Sequence, residues 1–190
     1  MGRTEPVSAN AITTPGVDVT SPLVDRLWFN ALWFQGIWFC TVLGRDTLLP
    51  LALLLLALHF WLARSDWRGE LRYLVLLGGI GITADALLSA TGVFQFNGGV
   101  LVPLWLCCLW LGFSATLRRS LGWLGTWPLL ASVAGAIAFP LNYLLGHRLG
   151  AVDLGYSVPV TLGLLAVIWG LLLPLMFRLG AGLSSNRRSP

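Results

Sequence analysis

Long uninterrupted blocks of apolar residues are the feature that most constrains this chain. Blocks of about 18 or more such residues are typical of helices that cross a lipid bilayer. Here 56% of the 190 residues are hydrophobic, 11% are charged and the mean hydropathy is +0.79, whereas soluble domains carry roughly a quarter charged residues. A helix satisfies its backbone hydrogen bonds internally, as a bilayer requires. The sequence therefore predicts an all-α integral membrane protein built as a helical bundle.

The breaks between the blocks predict six transmembrane helices. Charged, glycine-rich or proline-bearing stretches separate spans at about 27–43, 47–63, 73–95, 100–117, 128–146 and 156–177. The polar, Pro/Thr/Ser-rich start has neither the apolar core nor the cleavage site of a secretory signal. We expect a disordered tail over 1–25, a six-helix transmembrane domain over 26–178 and a second disordered tail over 179–190.

The arginine residues predict the orientation of this bundle. All 12 basic residues are Arg, and only Arg45 and Arg148 fall on the side opposite the termini. Loops rich in basic residues stay in the cytoplasm. Both termini are therefore expected to be cytoplasmic, in a multi-pass protein of a bacterial inner membrane. The absence of Lys is the compositional hint of a bacterial source, and the dispersed arginines do not indicate nucleic-acid binding.

The stretch LWFNALWFQGIWFC at residues 27–40 repeats one aromatic five-residue phrase three times. Each repeat advances a net rotation of about 140° around a helix, so the Trp-Phe pairs face different directions. Trp38 lies about 16 Å inside the span, and its indole N–H needs an acceptor there. Two interpretations stay open: packing with interhelical hydrogen bonds from Asn30 and Gln35, or a flat apolar pocket for a lipid or isoprenoid.

Asp85 is the acidic residue in the middle of a span, about 18 Å from its Arg72 end. Its helix face carries the small residues Gly78, Gly81, Ser89 and Gly92. Small residues mark close helix contacts, so Asp85 is expected inside the bundle, either protonated or in a hydrated cavity. It is interpreted either as a functional site or as a neutral structural acid bonded to Gln35, Thr83 or a free backbone carbonyl. Gln35 and Trp38 are expected to find their partner in Asp85.

The fifth span contains Pro140, which removes the usual partner of the Ala136 carbonyl. Asn142 and Tyr143 follow within one turn, at a depth near that of Asp85. Polar groups beside a kink at membrane depth often line a cavity, and a packed proline kink is the alternative. The candidate intramembrane polar site therefore comprises Asp85, Gln35, Asn30, Trp38, Asn142 and Tyr143, with Pro140 as the helix kink.

Motifs for catalysis or metal binding do not occur in the sequence. Cys40, Cys107 and Cys108 lack the spacing of a zinc site and are interpreted as small apolar residues. His59 and His147 fall about a membrane thickness apart and cannot share a haem or a metal. HExxH, GxSxG, P-loop and GxGxxG patterns do not occur. No cofactor or metal is predicted, and a non-catalytic role is favoured over an enzyme.

Four stretches resemble a family of uncharacterised bacterial inner-membrane proteins, catalogued as a domain of unknown function. They are NALWFQGIWF, ADALLSATGVFQF, VPLWLCCLWLGFSATLRRSLGWL and FPLNYLLGHRLGAV, and the resemblance covers roughly residues 25–177. It implies a small polytopic membrane protein and assigns no activity. Genes of this family often lie beside genes for cyclopropane-type modification of phospholipid acyl chains, so the resemblance also implies a role close to membrane lipid.

Three functions follow as hypotheses. The first is a non-catalytic component that binds lipid or a partner, such as a membrane-associated lipid-modifying enzyme, in a lipid-modification or envelope system. The second is a proton-coupled small-molecule transporter with Asp85 as the proton site, and the third is a membrane enzyme acting on lipid. The small-residue faces fit internal packing and dimerisation equally well, so no oligomeric state is predicted.

Overall fold

A computed structural model describes residues 23–185, which form an all-α protein, as the sequence predicts. The six α-helices of this part are α1 Leu27–Trp38, α2 Leu49–Leu62, α3 Trp67–Ala90, α4 Leu104–Arg118, α5 Pro128–Arg148 and α6 Val158–Ser185. A π-helical segment, Phe39–Leu43, continues α1. Two short strands, β1 Phe94–Gln95 and β2 Asp153–Leu154, pair antiparallel.

Three helical segments are long and apolar enough to cross a membrane. They are Arg64–Ala90, Pro128–Arg148 and Val158–Leu183. The other apolar segments, Leu27–Leu43, Leu49–Leu62 and Leu104–Arg118, are shorter. With its 14 residues, α2 is about 21 Å long, whereas the hydrocarbon core of a bilayer is about 30 Å thick.

The end of the third predicted span is wrong, because the helix stops before residue 95. Ala90 is the last residue of α3, and Gly92 has a φ of 78°, the left-handed conformation that commonly ends a helix. The following residues form β1 and pair with β2. Phe94 and Phe96 are buried, so the apolar character of this stretch reflects packing of a loop against the core.

The loops collect at two ends of the bundle. At the first, which we call the Arg45 end, the Arg45 guanidinium donates to the carbonyls of Leu149 and Gly150, and β1 pairs with β2. At the second, which we call the Glu70 end, Arg118 of α4 bonds to Glu70 of α3. The first, third and fifth connections therefore meet at the Arg45 end, and the second and fourth meet at the Glu70 end.

The main core lies between α5, α6 and the α3–α4 pair. Gly135 lets α5 approach α6 closely, since a Cβ there would lie 2.3 Å from the carbonyl oxygen of Trp169. Trp169 is fully buried and stacks on Phe139, with ring centroids 4.2 Å apart. Trp169 also stacks on Trp110 of α4, with ring centroids 4.8 Å apart. These aromatic contacts join α4, α5 and α6.

The two predicted tails fall mostly outside the described residues. Of the segment 1–25, the structure describes only Leu23–Asp25, which form a 3-10 turn. At the other end α6 extends to Ser185, so residues 179–185 are helical and do not belong to a tail. Residues 186–190 lie outside the described part of the chain.

Candidate functional site

Asp85 is fully buried on α3, and its carboxylate accepts a hydrogen bond from the indole of Trp110 on α4. The Trp110 Nε1 lies 2.7 Å from Asp85 Oδ2. Gly81, one turn before Asp85, leaves the space for this indole, because a Cβ there would lie 2.2 Å from the Trp110 ring. The small-residue face of α3 therefore brings α4 close enough for the pair to form.

The second oxygen of Asp85 accepts a hydrogen bond from a side chain of α5. The Tyr143 hydroxyl donates to Asp85 Oδ1, and the Tyr143 ring stacks on Phe94 with centroids 4.5 Å apart. Within residues 23–185, no Arg or His side chain bonds to this carboxyl. The Asp85 carboxyl thus holds two aromatic rings through neutral donors.

An apolar cavity with a free volume of about 150 Å³ lies beside this carboxyl. Trp110 and Tyr143 form part of its wall, so Asp85 lies directly behind the lining. The rest of the aromatic wall comes from Phe34 and Trp38 of α1, Phe96 of the β1 loop, Trp105 and Phe113 of α4, and Phe139 of α5. We call this cavity the aromatic pocket. Its mostly apolar lining suits a hydrocarbon group better than a polar one.

Trp38 and Asn142 form the rim of the aromatic pocket between α1 and α5. The Trp38 Nε1 donates to Asn142 Oδ1 at 3.0 Å, and Asn142 Nδ2 donates to the Ala138 carbonyl at 2.8 Å. Both residues line the pocket, and Ala138 and Asn142 are exposed on the surface of the bundle. The pocket therefore reaches the side of the bundle at this hydrogen bond.

Pro140 lies buried inside α5, which remains one helix from Pro128 to Arg148. Its nitrogen carries no hydrogen, so it cannot donate to the Ala136 carbonyl. The pocket-lining residues Phe139 and Tyr143 lie on either side of it in the chain. The proline is thus packed in the bundle, and the helix turn around it supplies part of the pocket wall.

Two members of the predicted polar site lie elsewhere. Gln35 is exposed on α1, because it lies about 160° around the helix from the buried Trp33 and Ile37. Thr83, the other side chain expected to bond to Asp85, is also exposed. Neither Gln35 nor Thr83 therefore reaches Asp85. The expectation that Gln35 and Trp38 bond to Asp85 is wrong.

Asn30, the other misplaced member, is buried at the Glu70 end. Its Oδ1 accepts a hydrogen bond from the Ser120 hydroxyl at 2.6 Å. Its Nδ2 has no hydrogen-bond partner within the described residues. Asn30 therefore joins α1 to the segment after α4 and does not contribute to the pocket.

A second buried polar cluster, absent from the sequence predictions, is centred on Glu70. This residue is fully buried, and its Oε1 lies 2.6 Å from both Nη1 of Arg119 and Nε2 of His59. Its Oε2 accepts from Nη1 of Arg118 at 2.6 Å. Two guanidinium groups and an imidazole thus satisfy one carboxylate, as a buried charge requires.

The same cluster extends outward to three further helices or turns. Arg118 donates to Asp66 at 2.7 Å, and Arg119 donates to Asp25 at 3.0 Å. The His59 ring stacks on Trp33 of α1 with centroids 4.4 Å apart. The Glu70 cluster therefore ties the entry to α1, the end of α2, the start of α3 and the end of α4 together.

The apolar residues that follow Glu70 in the sequence mark it as a position that faces the core. Tyr73, Leu74 and Leu77 follow it at spacings of three, four and seven residues, and all three are buried. An acidic residue at the first position of such an apolar stripe faces the core and needs a cationic partner. Arg118 and Arg119 are these cationic partners, a role that their position in a basic loop does not indicate.

The cysteines and histidines do not converge on one site. Within residues 23–185, no group of three or more His, Cys, Asp or Glu residues could hold a metal ion. Cys40, Cys107 and Cys108 carry free thiols. His59 belongs to the Glu70 cluster, whereas His147 at the Arg45 end places its Nδ1 3.0 Å from the Val152 carbonyl.

Together, the fold and the pocket define an all-α protein with three helices long enough to cross a membrane and an apolar cavity inside the bundle. The family model described as "Protein of unknown function (DUF2878)" matches residues 27–175, so the chain belongs to this family. This confirms the resemblance to a domain of unknown function. Neither a curated protein nor a solved structure matches the chain significantly.

Proposed function

We propose that this protein crosses the inner membrane six times, with both termini in the cytoplasm, and that it binds a hydrocarbon chain of a membrane lipid in the aromatic pocket. The arginine distribution supports the orientation, since Arg118 and Arg119 lie at the Glu70 end and Arg45 lies at the opposite end. The shorter α1, α2 and α4 cross the bilayer beside longer neighbours, where local thinning accommodates them.

The aromatic pocket is the observation that carries this proposal. An apolar cavity of about 150 Å³ holds a group about the size of benzene. The pocket therefore accommodates part of one hydrocarbon chain. Its rim at Trp38 and Asn142 faces the side of the bundle, where acyl chains surround a membrane protein. A lipid chain can enter there without leaving the hydrocarbon phase.

The polar groups around the pocket favour binding over catalysis. Asp85 is bonded to Trp110 and Tyr143, and this arrangement fixes the two rings in the pocket wall. Binding of a lipid chain is consistent with an accessory protein that serves a lipid-modifying enzyme or an envelope system. That role agrees with the lipid-related setting that the family resemblance implies.

A proton-coupled transporter is the second candidate, and the burial of Asp85 favours it. Its carboxyl contacts neutral donors at the edge of a cavity, which is the setting expected for a proton-binding acid in a membrane. This candidate requires that Asp85→Asn abolish pH-driven uptake by proteoliposomes. Binding of an acyl chain without any pH-driven flux would exclude the transporter and support the accessory role.

The proposal is tested with cis-parinaric acid, a fluorescent fatty acid that accepts excitation energy from tryptophan. Purified protein in nanodiscs is titrated with this probe, and the saturable part of the energy transfer is measured. Ala138→Phe places a ring at the exposed mouth of the pocket and is expected to lower the saturable signal at least tenfold. Ile137→Phe, at an exposed neighbouring position that does not line the pocket, is the matched control.

Equal saturable binding by wild type, Ala138→Phe and Ile137→Phe would overturn the proposal. In that case the saturable binding sites would lie outside the aromatic pocket. Non-saturable transfer in the wild type would overturn it as well.

A further inference from the structure

A second cavity, with a free volume of about 570 Å³, lies at the Arg45 end and differs in chemistry from the aromatic pocket. Its polar lining comes from the first loop and from the loop after β1: Arg45, Asp46, Thr47 and Asn97. We call it the vestibule. Such a lining suits a hydrated polar group, whereas the aromatic pocket suits hydrocarbon.

The vestibule and the aromatic pocket share part of their walls. Phe96, Trp105 and Ala151 line both cavities. The two cavities therefore adjoin each other at these three residues, with the vestibule at the Arg45 end and the aromatic pocket beside Trp110. A polar compartment adjoining an apolar compartment is the arrangement that an amphiphilic molecule requires.

Arg45 determines which charge the vestibule favours. Its Nη1 and Nη2 each donate one hydrogen bond, to the carbonyls of Gly150 and Leu149 at 2.8 and 3.0 Å. A guanidinium has five N–H donors, so three remain for a ligand. Arg45 forms no ion pair with any residue of the described segment 23–185. Asp46 also lines the vestibule, but it is exposed, so solvent screens its charge.

We propose that the vestibule and the aromatic pocket form one binding site for an anionic amphiphile with a single hydrocarbon chain. Its carboxylate or phosphate lies beside Arg45, and its chain passes Trp105 and ends beside Trp110. A free apolar volume of about 150 Å³ leaves no room for a second chain beside the first. This inference rests on the proposed function, because it requires hydrocarbon in the aromatic pocket.

Photo-crosslinking tests the two halves of the site separately. Two palmitic acid probes are used with the full chain in nanodiscs, one with a diazirine at the end of the chain and one with a diazirine next to the carboxylate. The chain-end probe is expected to label Trp110, Phe113 or Phe139, and the carboxylate-end probe to label residues 43–47 or 97–104. Excess unlabelled palmitate competes in both experiments.

The labelled positions separate the inference from the proposed function. If the chain-end probe labels the pocket but the carboxylate-end probe labels Trp38 or Asn142, the acid lies at the side of the bundle and the inference is wrong. If the chain-end probe labels only exposed helix faces without competition, the proposed function fails too.

Arg45→Gln tests the charge of the ligand. We expect this variant to bind palmitate at least tenfold more weakly and to bind the uncharged hexadecanol as the wild type does, because only the first ligand loses a charge-assisted hydrogen bond. Hexadecyl phosphate in parallel shows whether carboxylate or phosphate is preferred. Equal loss for palmitate and hexadecanol would contradict the anionic assignment.

Ala151→Leu enlarges a side chain that lines both compartments and is expected to reduce labelling by the carboxylate-end probe. Ala90→Leu, at the exposed end of α3, is the control. Undiminished labelling in a folded Ala151→Leu protein would contradict a continuous site. If this variant does not fold, the crosslinked positions in the wild-type protein decide the question.

Discussion

At the scale of single residues, the indole of Trp110 reaches the Asp85 carboxyl because Gly81 has no side chain. A Cβ at Gly81 would lie 2.2 Å from the indole ring, well inside van der Waals contact. Asp85 and Trp110 come from different helices, and their 2.7 Å hydrogen bond needs this close approach. Gly81 therefore matters because it leaves space for Trp110, and not because it makes α3 flexible.

Gly81→Ala is expected to destabilise the protein by about 1–3 kcal/mol, because the added methyl group forces Trp110 away from Asp85. Displacing Trp110 also distorts the wall of the aromatic pocket, so saturable binding of cis-parinaric acid should weaken. The midpoint of thermal unfolding in one detergent and the energy-transfer titration measure the two effects.

Gly79→Ala provides the matched control on the same helix. A Cβ at Gly79 would have no neighbour within 4 Å, and alanine is the better helix former by up to about 1 kcal/mol. We expect this variant to be as stable as the wild type or slightly more stable. A Gly81→Ala protein that unfolds at the temperature of Gly79→Ala would show that Trp110 is not held by Asp85.

At the scale of helices and loops, the Glu70 cluster links four elements that the sequence presents separately. Glu70 lies in the first turn of α3, His59 lies in the last turn of α2, Arg118 and Arg119 lie at the end of α4, and Asp25 lies just before α1. The Glu70 side chain is fully buried, whereas the Arg118 side chain is one quarter exposed. The cluster therefore buries charged groups at the Glu70 end and joins the ends of these helices.

Glu70→Gln is expected to destabilise the protein by about 3–5 kcal/mol, because the nearly buried Arg119 then loses its buried counter-ion and keeps only the exposed Asp25. The amide preserves the size of the side chain, so the loss reports the charge. Thermal unfolding in detergent measures the effect.

Asp153→Asn is the control for Glu70→Gln, since Asp153 also lies near a histidine but is exposed. The oxygen of Asp153 is 3.9 Å from His147, and 69% of the Asp153 side chain is accessible to solvent. An exposed pair of this kind contributes at most about 1 kcal/mol. Similar small losses in the two variants would contradict a stabilising role for the Glu70 cluster.

At the scale of the whole molecule, the contacts between loops define two ends with different compositions. Arg118, Arg119 and Glu70 meet at one end, and Arg45 meets the loop before β2 at the other. Consecutive loops thus alternate between the two ends, as consecutive membrane crossings require. The proposed vestibule would then open on the side of the membrane away from the cytoplasm.

Cysteine labelling in intact cells tests this orientation. In a chain whose three cysteines are replaced by serine, a membrane-impermeant maleimide should label Asp46→Cys and leave Arg64→Cys unlabelled. Both positions are exposed and they lie at opposite ends. Permeabilised cells provide the control, because Arg64→Cys should react there. Labelling of Arg64→Cys in intact cells would reverse the proposed orientation.

Local patterns in the sequence determined the helical class, most helix bounds and the family. Apolar blocks and their breaks depend only on neighbours along the chain, so α2, α5 and most of α3 are recognisable from them. The stripe of small residues around Asp85 indicates which face of α3 turns inward, because side-chain direction on one helix follows from its period. The same pattern wrongly predicted that the third helix continues through β1, because burial and helix formation both favour apolar residues.

Only the tertiary structure decided which side chains meet. Asp85 bonds to Trp110 and Tyr143, residues 25 and 58 positions away, and not to Gln35. Glu70 likewise finds Arg118 and Arg119 across 48 and 49 positions. Such partners depend on how each helix is rotated and tilted against its neighbours. Periodicity along one helix carries no information about the rotation of the next, so the pocket and the Glu70 cluster became visible only when all six helices were packed.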